Sequence, residues 1–192
     1  MFPWDHLAIG YVAVSLWLRL RGRRVDDLAW LAVVVGTQFP DLVDKPLSWT
    51  FAVLPTGTTL AHSVFVAVPL SAAVYLLARR RGRPDAGAAF GIGYLLHLPA
   101  DVLYGPLALG SPVVPGTVLW PLVTKAATDA GGGLLANTVY YILRFYTVID
   151  STRALGFLLV EAGLILGALA LWIADGRPGV RPVSAAVRRA VA

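Results

Sequence analysis

The side chains best suited to chemistry in this chain are its three histidines and a few acids, namely His6, His62, His97, Asp41, Asp44 and Asp101. His97 and Asp101 are four residues apart, so on a helix both side chains leave the same face. Asp41 and Asp44 follow Pro40, where we predict a helix-breaking turn that exposes both carboxylates. Imidazole and carboxylate groups suit zinc and similar divalent ions. The chain has no cysteine, so it offers no thiolate ligand.

The composition surrounds these few groups with apolar residues. Hydrophobic residues make up 57% of the 192 residues and charged residues only 14%, with a mean hydropathy of +0.71. Soluble domains contain about 45–50% apolar and roughly 25% charged residues. The difference excludes a disordered chain, a disulfide scaffold and a typical cytosolic enzyme. The sequence therefore predicts an integral membrane protein.

Apolar stretches predict the helices that must position the ionisable groups. A membrane span needs about 20 apolar residues. We predict an all-α fold, a polytopic membrane helical bundle with about five transmembrane helices at residues 6–20, 26–39, 60–78, 86–105 and 154–174. The second helix is short because Pro40 is expected to end it at residue 39. Residues 1–176 are predicted to form a single membrane-embedded domain, followed by a basic cytoplasmic tail at 177–192.

The segment between the last two spans, residues 106–152, is predicted to stay on the outer side of the membrane. Its residues 106–133 are rich in proline and glycine and are expected to act as a lid. Residues 134–149 carry grouped aromatic side chains, as in an aromatic belt. We interpret them as an interfacial or re-entrant helix that caps the outer end, and a sixth crossing is the alternative.

Arginine clusters predict how the chain is oriented. Twelve of the 16 basic residues follow the first, third and last spans: Arg19, Arg21, Arg23, Arg24, Arg79, Arg80, Arg81, Arg83, Arg177, Arg181, Arg188 and Arg189. Basic residues concentrate in cytoplasmic loops. We therefore expect an integral protein of the cell (plasma or inner) membrane with its N-terminus outside and its C-terminus in the cytoplasm. The clusters lie directly beside spans, which favours a role in topology over nucleic-acid binding, so no nucleic-acid partner is expected.

Counting helical residues from these arginines puts the buried ionisable groups at one depth. At 1.5 Å per residue, His6 lies about 20 Å from Arg19, His62 about 26 Å from Arg79, and His97 about 21 Å from Arg83. Asp101 and Glu161 lie at similar depths, about 27 and 24 Å from the arginines. A charge inside the bilayer costs about 2.5–3.5 kcal/mol even on lenient scales. The shared depth predicts a metal site built from the histidines and two or three of the acids.

Each residue also has a structural explanation when taken alone. His62 could be a hydrogen-bonded core residue, and Asp41 and Asp44 could cap the next helix. Asp5 is expected at the surface or beside the ligands. Glu161 could pair with Arg144 or Arg153, or add a further ligand. These alternatives stay open residue by residue, while the joint pattern favours the metal site.

Five short motifs, in a consistent order over roughly residues 1–125, carry a family resemblance: DHLAIG, FPDLVD, AHS, GYLLHLPADVL and LWPL. With these motifs the chain resembles the YdjM-like family of membrane-bound, metal-dependent hydrolases. That family is in turn similar to the zinc-dependent phospholipase C and single-strand nuclease superfamily, whose all-helical enzymes cleave phosphoesters. The C-terminal third of the chain matches only as generic membrane helix.

The resemblance implies roles for individual residues. His6, His62, His97 and Asp101 match metal ligands, with Asp101 in a bridging position, and Asp41 matches the acid that acts as ligand or general base. One or two divalent ions, most consistent with zinc, are the implied cofactor. The relatives use further histidines downstream, whereas this chain has none after His97.

The leading hypothesis is hydrolysis of a phosphoester on a lipid or amphiphilic substrate near the outer leaflet. A divalent ion would activate water, and Asp41 or Asp44 would orient or deprotonate that water. A metal or ion transporter that uses the same site is one alternative, and a structural membrane protein with a non-catalytic metal site is another. Besides membrane lipids, a second copy of the chain is a candidate partner, because the spacings Gly87 to Gly91 and Gly163 to Gly167 favour close helix packing.

Overall fold

The computed structural model describes residues 2–124, 132–149 and 154–180. This part of the chain is all-helical, with six α-helices and no strand. The helices are α1 (Pro3–Arg19), α2 (Asp27–Lys45), α3 (Val64–Arg80), α4 (Pro84–Leu109), α5 (Gly133–Ile149) and α6 (Ala154–Ala174). A π-helical turn at Pro46–Thr50 continues α2, and a 3₁₀ turn lies at Pro115–Val118.

Helix α4 is the centre of the bundle, because α1, α2 and α3 all pack against it. Helices α2 and α4 pack closely, and a side chain at Gly36 would overlap the backbone of Phe90. One apolar core joins α1, α2 and α4 around Val14 and Val33, and a second joins α3 to α4 around Tyr94. The two cores hold α4 in a fixed register against its neighbours.

Helix α2 does not end before Pro40, so the predicted exposed turn is wrong. The helix runs through Pro40 to Lys45, and both Asp41 and Asp44 are buried in its last turns. Proline is tolerated inside membrane helices where neighbouring groups compensate for the lost backbone hydrogen bond. Here the turn after Pro40 is stabilised by Lys45, whose Nζ donates to Asp41 Oδ2 at 2.6 Å.

Helix α3 begins at Val64, later than the predicted residue 60, and leaves His62 in the preceding turn. Asp44 explains this late start. Its carboxylate accepts backbone N–H groups from Thr59, Ala61 and His62 at 2.8, 2.9 and 3.2 Å. These donors are directed towards Asp44 of α2, so the segment folds as a turn around the carboxylate.

The residue that follows α6 is attached to α1 by polar contacts. Asp175, whose side chain is fully buried, accepts hydrogen bonds from Tyr11 at 3.0 Å, Ser15 at 2.7 Å and Arg19 at 2.6 Å. This contact lies at the end of α1 that carries the first arginine cluster, which we call the arginine end. The body of α6, by contrast, contributes no buried residue.

Two of the described helices are long and apolar enough to cross a membrane, at Pro84–Ala108 and Ala154–Ala174. The second coincides with the predicted span 154–174, and the first extends the predicted span 86–105 at both ends. The count of five crossings stays a prediction, as does the interfacial placement of α5. Residues 125–131 of the predicted lid, 150–153, and 181–192 of the predicted tail lie outside the described residues.

One of the predicted small-residue faces is used inside the chain. A Cβ at Gly87 would lie 2.8 Å from both Ala78 Cβ and Tyr75 Cα of α3, so the glycine permits close packing of α3 on α4. A Cβ at Gly163 or Gly167 of α6 would instead meet no described atom within 4 Å. Their spacing therefore has no packing partner among the described residues.

Candidate metal centre

Four side chains meet at the end of the bundle opposite the arginine end. Asp41 comes from α2, His62 from the turn before α3, and His97 and Asp101 from α4. Each offers one ligand atom, and these atoms all lie within 4.8 Å of one another. Asp41 and both histidines are buried, while the side chain of Asp101 is 21% exposed. We refer to these four residues as the His/Asp group.

Distances within the His/Asp group match the spacing of ligands around one ion. The Nε2 atoms of His62 and His97 are 3.2 Å apart, and Asp101 Oδ2 lies 3.4 Å from each of them. Asp41 Oδ1 lies 3.5 Å from His62 Nε2 and 3.9 Å from His97 Nε2. Ligand atoms placed tetrahedrally at about 2.0–2.1 Å from a zinc ion stand about 3.3 Å from one another. Asp41 lies farther out than this spacing, since its Oδ1 is 3.9 Å from His97 Nε2 and the ligand atoms of the group span up to 4.8 Å.

The tautomer of His97 follows from its partner. Its Nδ1 lies 2.7 Å from the carbonyl oxygen of Thr37. A carbonyl can only accept, so Nδ1 carries the proton and donates. In the neutral imidazole, His97 Nε2 then presents a lone pair to the His/Asp group.

The tautomer of His62 is set in the same way by Asp44. Asp44 accepts three backbone N–H groups, two of them on Oδ2, so this oxygen acts as an acceptor. His62 Nδ1, 2.8 Å from Asp44 Oδ2, therefore donates. A carboxylate that holds the distal nitrogen of a histidine is the usual support of a metal-ligating imidazole.

When both rings are neutral, the lone pairs on the Nε2 atoms of His62 and His97 face each other across 3.2 Å. Such an arrangement is repulsive unless a proton or a cation lies between the nitrogens. Asp41 Oδ1 points into the same space and, among the described residues, is buried without a hydrogen-bond donor. A donor set of two imidazoles and two carboxylates around buried acceptors fits a divalent cation.

His6, also predicted as a ligand, lies beside the His/Asp group. Its Nε2 is 3.1 Å from Asp101 Oδ1, whereas the other oxygen, Oδ2, is the one that lies 3.4 Å from His62 and His97. Its ring stacks on that of His97, with centroids 3.6 Å apart and an 11° angle between planes. The structure thus brings all three histidines together, and a ligand role for His6 stays a prediction.

Asp5 and Glu161 form a separate acidic pair. Asp5 is buried on α1, where its Oδ2 accepts the N–H of Phe2 at 3.1 Å, and Glu161 of α6 is its electrostatic neighbour. Neither acid belongs to the His/Asp group. The side chain of Arg144 and all of Arg153, the other partners considered for Glu161, lie outside the described residues.

Lys45 is a residue at this site that the sequence reasoning missed. Its Nζ bonds Asp41 Oδ2 at 2.6 Å and lies 5.6 Å from the ring centroid of Trp49. The signal was the four-residue spacing from Asp41, which places the two side chains together on a helix. This spacing was not used, because Pro40 was expected to end the helix before Asp41.

Helix α5 contacts the segments on both sides of the site. Tyr141 stacks on Trp49 of the π-helical turn with ring centroids 5.7 Å apart. Phe145 meets Phe2, just before α1, edge to face at 5.0 Å. These aromatic contacts join α5 to the turn after α2 and to the start of α1.

Comparison with known proteins finds one matching family. The family model described as YdjM inner membrane protein matches residues 1–177. No curated protein and no solved structure matches the chain. The matched region contains all six helices and the whole His/Asp group.

Proposed function

This chain belongs to the YdjM inner membrane protein family, and from that premise we propose that it is a metal-dependent hydrolase. Its substrate is a phosphoester on a lipid or another amphiphile. Family membership, together with the apolar helices α4 and α6, supports a membrane location. The hydrolase assignment depends on the His/Asp group.

The observation that carries the proposal is the pair of facing Nε2 atoms of His62 and His97. Partners on Nδ1 fix the neutral tautomers, and these direct both Nε2 lone pairs into the His/Asp group. A divalent cation would also balance the charges of Asp41 and Asp101, which a single shared proton would not.

In the proposed reaction the cation is held by the His/Asp group, and zinc is the ion that this donor set suits best. A bound divalent ion would supply Lewis acidity, lowering the pKa of a coordinated water and polarising a phosphoryl oxygen. Asp101, the most exposed member of the group, lies on the side that substrate can reach.

The two acids predicted to be catalytic have different positions. Asp44 is fully buried and accepts three backbone N–H groups and His62 Nδ1, which supports a positioning role rather than proton transfer. Asp41 directs Oδ1 into the group and Oδ2 towards Lys45. Of the two, Asp41 is the acid that can orient an attacking water.

We further propose five crossings with the His/Asp group near the outer face. At the opposite end Arg19 pairs with Asp175 and Arg23 with Asp85, each at 2.6 Å, so arginines of the first cluster lie beside the ends of α6 and α4. The positive-inside tendency then supports a cytoplasmic arginine end and an outer N-terminus.

The experiment compares zinc content and hydrolysis in purified variants. Wild-type protein is expected to hold one or two zinc ions per chain and to hydrolyse a short-chain phospholipid. His97→Ala and Asp101→Asn should lose zinc, with affinity reduced more than about tenfold, and should lose hydrolysis. Elemental analysis after dialysis measures the first property, and release of the head group measures the second.

The matched control is Asp85→Asn, which changes the same residue type on the same helix but only removes an exposed pair with Arg23. It should keep full zinc content and activity. Full zinc stoichiometry in both site variants would contradict the proposal, and zinc flux through proteoliposomes without hydrolysis would replace it with transport.

A further inference from the structure

We propose that Lys45 binds the phosphate group of the substrate beside the His/Asp group. This inference rests on the proposed function and names the residue that recognises the substrate. It starts from the two oxygens of Asp41, which face opposite ways: Oδ1 points towards His62 and His97, and Oδ2 contacts Lys45 Nζ at 2.6 Å. The carboxylate of Asp41 therefore separates the ammonium group from the ligand atoms of the two histidines.

Lys45 has donors to offer to an anion. An ammonium group carries three N–H donors. Asp41 receives one of them, and the Trp49 ring lies beneath the ammonium at 5.6 Å. The Lys45 side chain is 26% exposed, whereas that of Asp41 is only 10% exposed. An anion can thus reach Nζ without displacing Asp41.

The charge of the site requires such a cation. Asp41, Asp44 and Asp101 place three carboxylates beside the histidines, and Lys45 offsets the charge of Asp41. A divalent ion would offset the other two. With the ion bound, the negative charges of the three carboxylates are balanced only while Lys45 is charged. An anionic phosphate would then approach a site that carries no excess negative charge. Lysine is also a common phosphate ligand in proteins, acting as a point charge.

Among the cationic side chains that the structure describes, Lys45 is the one that pairs with the His/Asp group. The described pairs of Arg19 and Arg23 are at the arginine end. Phosphate on a lipid head group and free phosphate share the required chemistry. The stacked rings of Trp49 and Tyr141 next to Lys45 favour the lipid, because aromatic side chains suit the membrane interface.

The test uses the full chain in detergent with Co²⁺ as a visible probe of the metal centre. Inorganic phosphate and didecanoyl phosphatidic acid are titrated separately, and the change in the cobalt spectrum gives each affinity. Lys45→Gln should weaken phosphate binding at least tenfold while cobalt binding stays intact. Lys45→Arg, which keeps the charge, should retain most of the affinity, and Arg81→Gln at the arginine end should match wild type.

The outcomes separate this inference from the proposed function. Unchanged phosphate affinity in Lys45→Gln would overturn the inference without contradicting the proposed metal centre. A wild-type protein that binds no cobalt would overturn both. Binding of both ligands that depends on Lys45, without hydrolysis of any phosphoester, would support the anion site and overturn the hydrolase. Tighter binding of the phosphatidic acid identifies the lipid as source, and tighter binding of inorganic phosphate identifies the free ion.

A second measurement needs no substitution of Lys45. In cobalt-loaded wild-type protein, saturating phosphate should slow acetylation of Lys45 several-fold, as mapped by mass spectrometry. Lys125, the other lysine of the chain, serves as the internal reference. Equal acetylation of Lys45 with and without phosphate would overturn the inference even if Lys45→Gln does not fold.

Discussion

At the scale of single residues, Asp44 determines where His62 points. One buried carboxylate fixes the backbone of the turn before α3 and the protonated nitrogen of the ring. Without it, His62 Nε2 would have no fixed direction towards His97 and Asp101. Asp44 therefore acts on the metal centre through His62, at a distance from any bound ion.

Replacing Asp44 by Asn should lower zinc affinity about 10- to 100-fold, the usual effect of losing such a support. The asparagine amide has one acceptor oxygen for the four donors that now bond Asp44. Its own NH₂ group would face some of those donors. Zinc affinity of the folded variant is measured by competition with a chelator. Asp26→Asn is the control, because asparagine can still cap α2 as Asp26 does through Ala29 N–H. Wild-type affinity in Asp44→Asn would contradict this role.

Sequence reasoning anticipated part of the site. The spacing of His97 and Asp101 predicted their contact, since four residues on a helix place side chains together whatever surrounds them. The depth estimate likewise brought His6 and His62 to the same level. The stacking of His6 on His97 depends on how α1 meets α4, and no local pattern contains that information.

At the scale of elements, the join between α2 and α4 holds the site together, because these two helices supply Asp41, His97 and Asp101. Their close approach depends on Gly36. The Pro40 prediction failed at this same scale: packing of α2 along α4 outweighs the local preference of proline, so the helix continues and carries Asp41 into the group. The α6 boundaries, by contrast, were predictable because its 21 residues are apolar except for Glu161 and need no partner to define them.

Gly36→Ala should destabilise the protein by about 1–3 kcal/mol, because an added methyl overlaps backbone that cannot rotate away. A Cβ at this position would meet the Phe90 carbonyl group. The free energy of unfolding is measured by titration from mild to denaturing detergent with circular dichroism. Gly163→Ala is the control: its Cβ would meet open space on α6, so stability should hold or rise slightly. Equal stability of the two variants would refute the close contact.

At the scale of the whole molecule, the arrangement has two polar ends and an apolar middle. The His/Asp group occupies one end, the pairs of Arg19 and Arg23 occupy the other, and the cores around Val14 and Tyr94 lie between them. The hydropathy and the arginine positions predicted this division. They did not predict which helices touch, because every apolar face is equally suited to lipid and to another helix.

The proposed orientation can be measured directly because the chain has no native cysteine. Ser111→Cys, exposed beyond α4, should react with a membrane-impermeant maleimide on intact spheroplasts. Arg81→Cys, exposed between α3 and α4 at the arginine end, should react only after the membrane is permeabilised. Denatured samples provide the control for total reactivity. The reverse labelling pattern would show that the arginine end lies outside and would contradict the proposed orientation.

Asp175 gives the bundle a mechanical property. No residue of α6 is fully buried, whereas Asp175, directly after the helix, is hydrogen-bonded to Tyr11, Ser15 and Arg19 of α1. A force applied to the segment after α6 would therefore pass into α1 through the carboxylate of Asp175 and into α2 through Asp27, which accepts the N–H of Gly179 at 2.6 Å. His6 is on α1, so tension at the arginine end would be transmitted along this helix to the opposite end of the molecule.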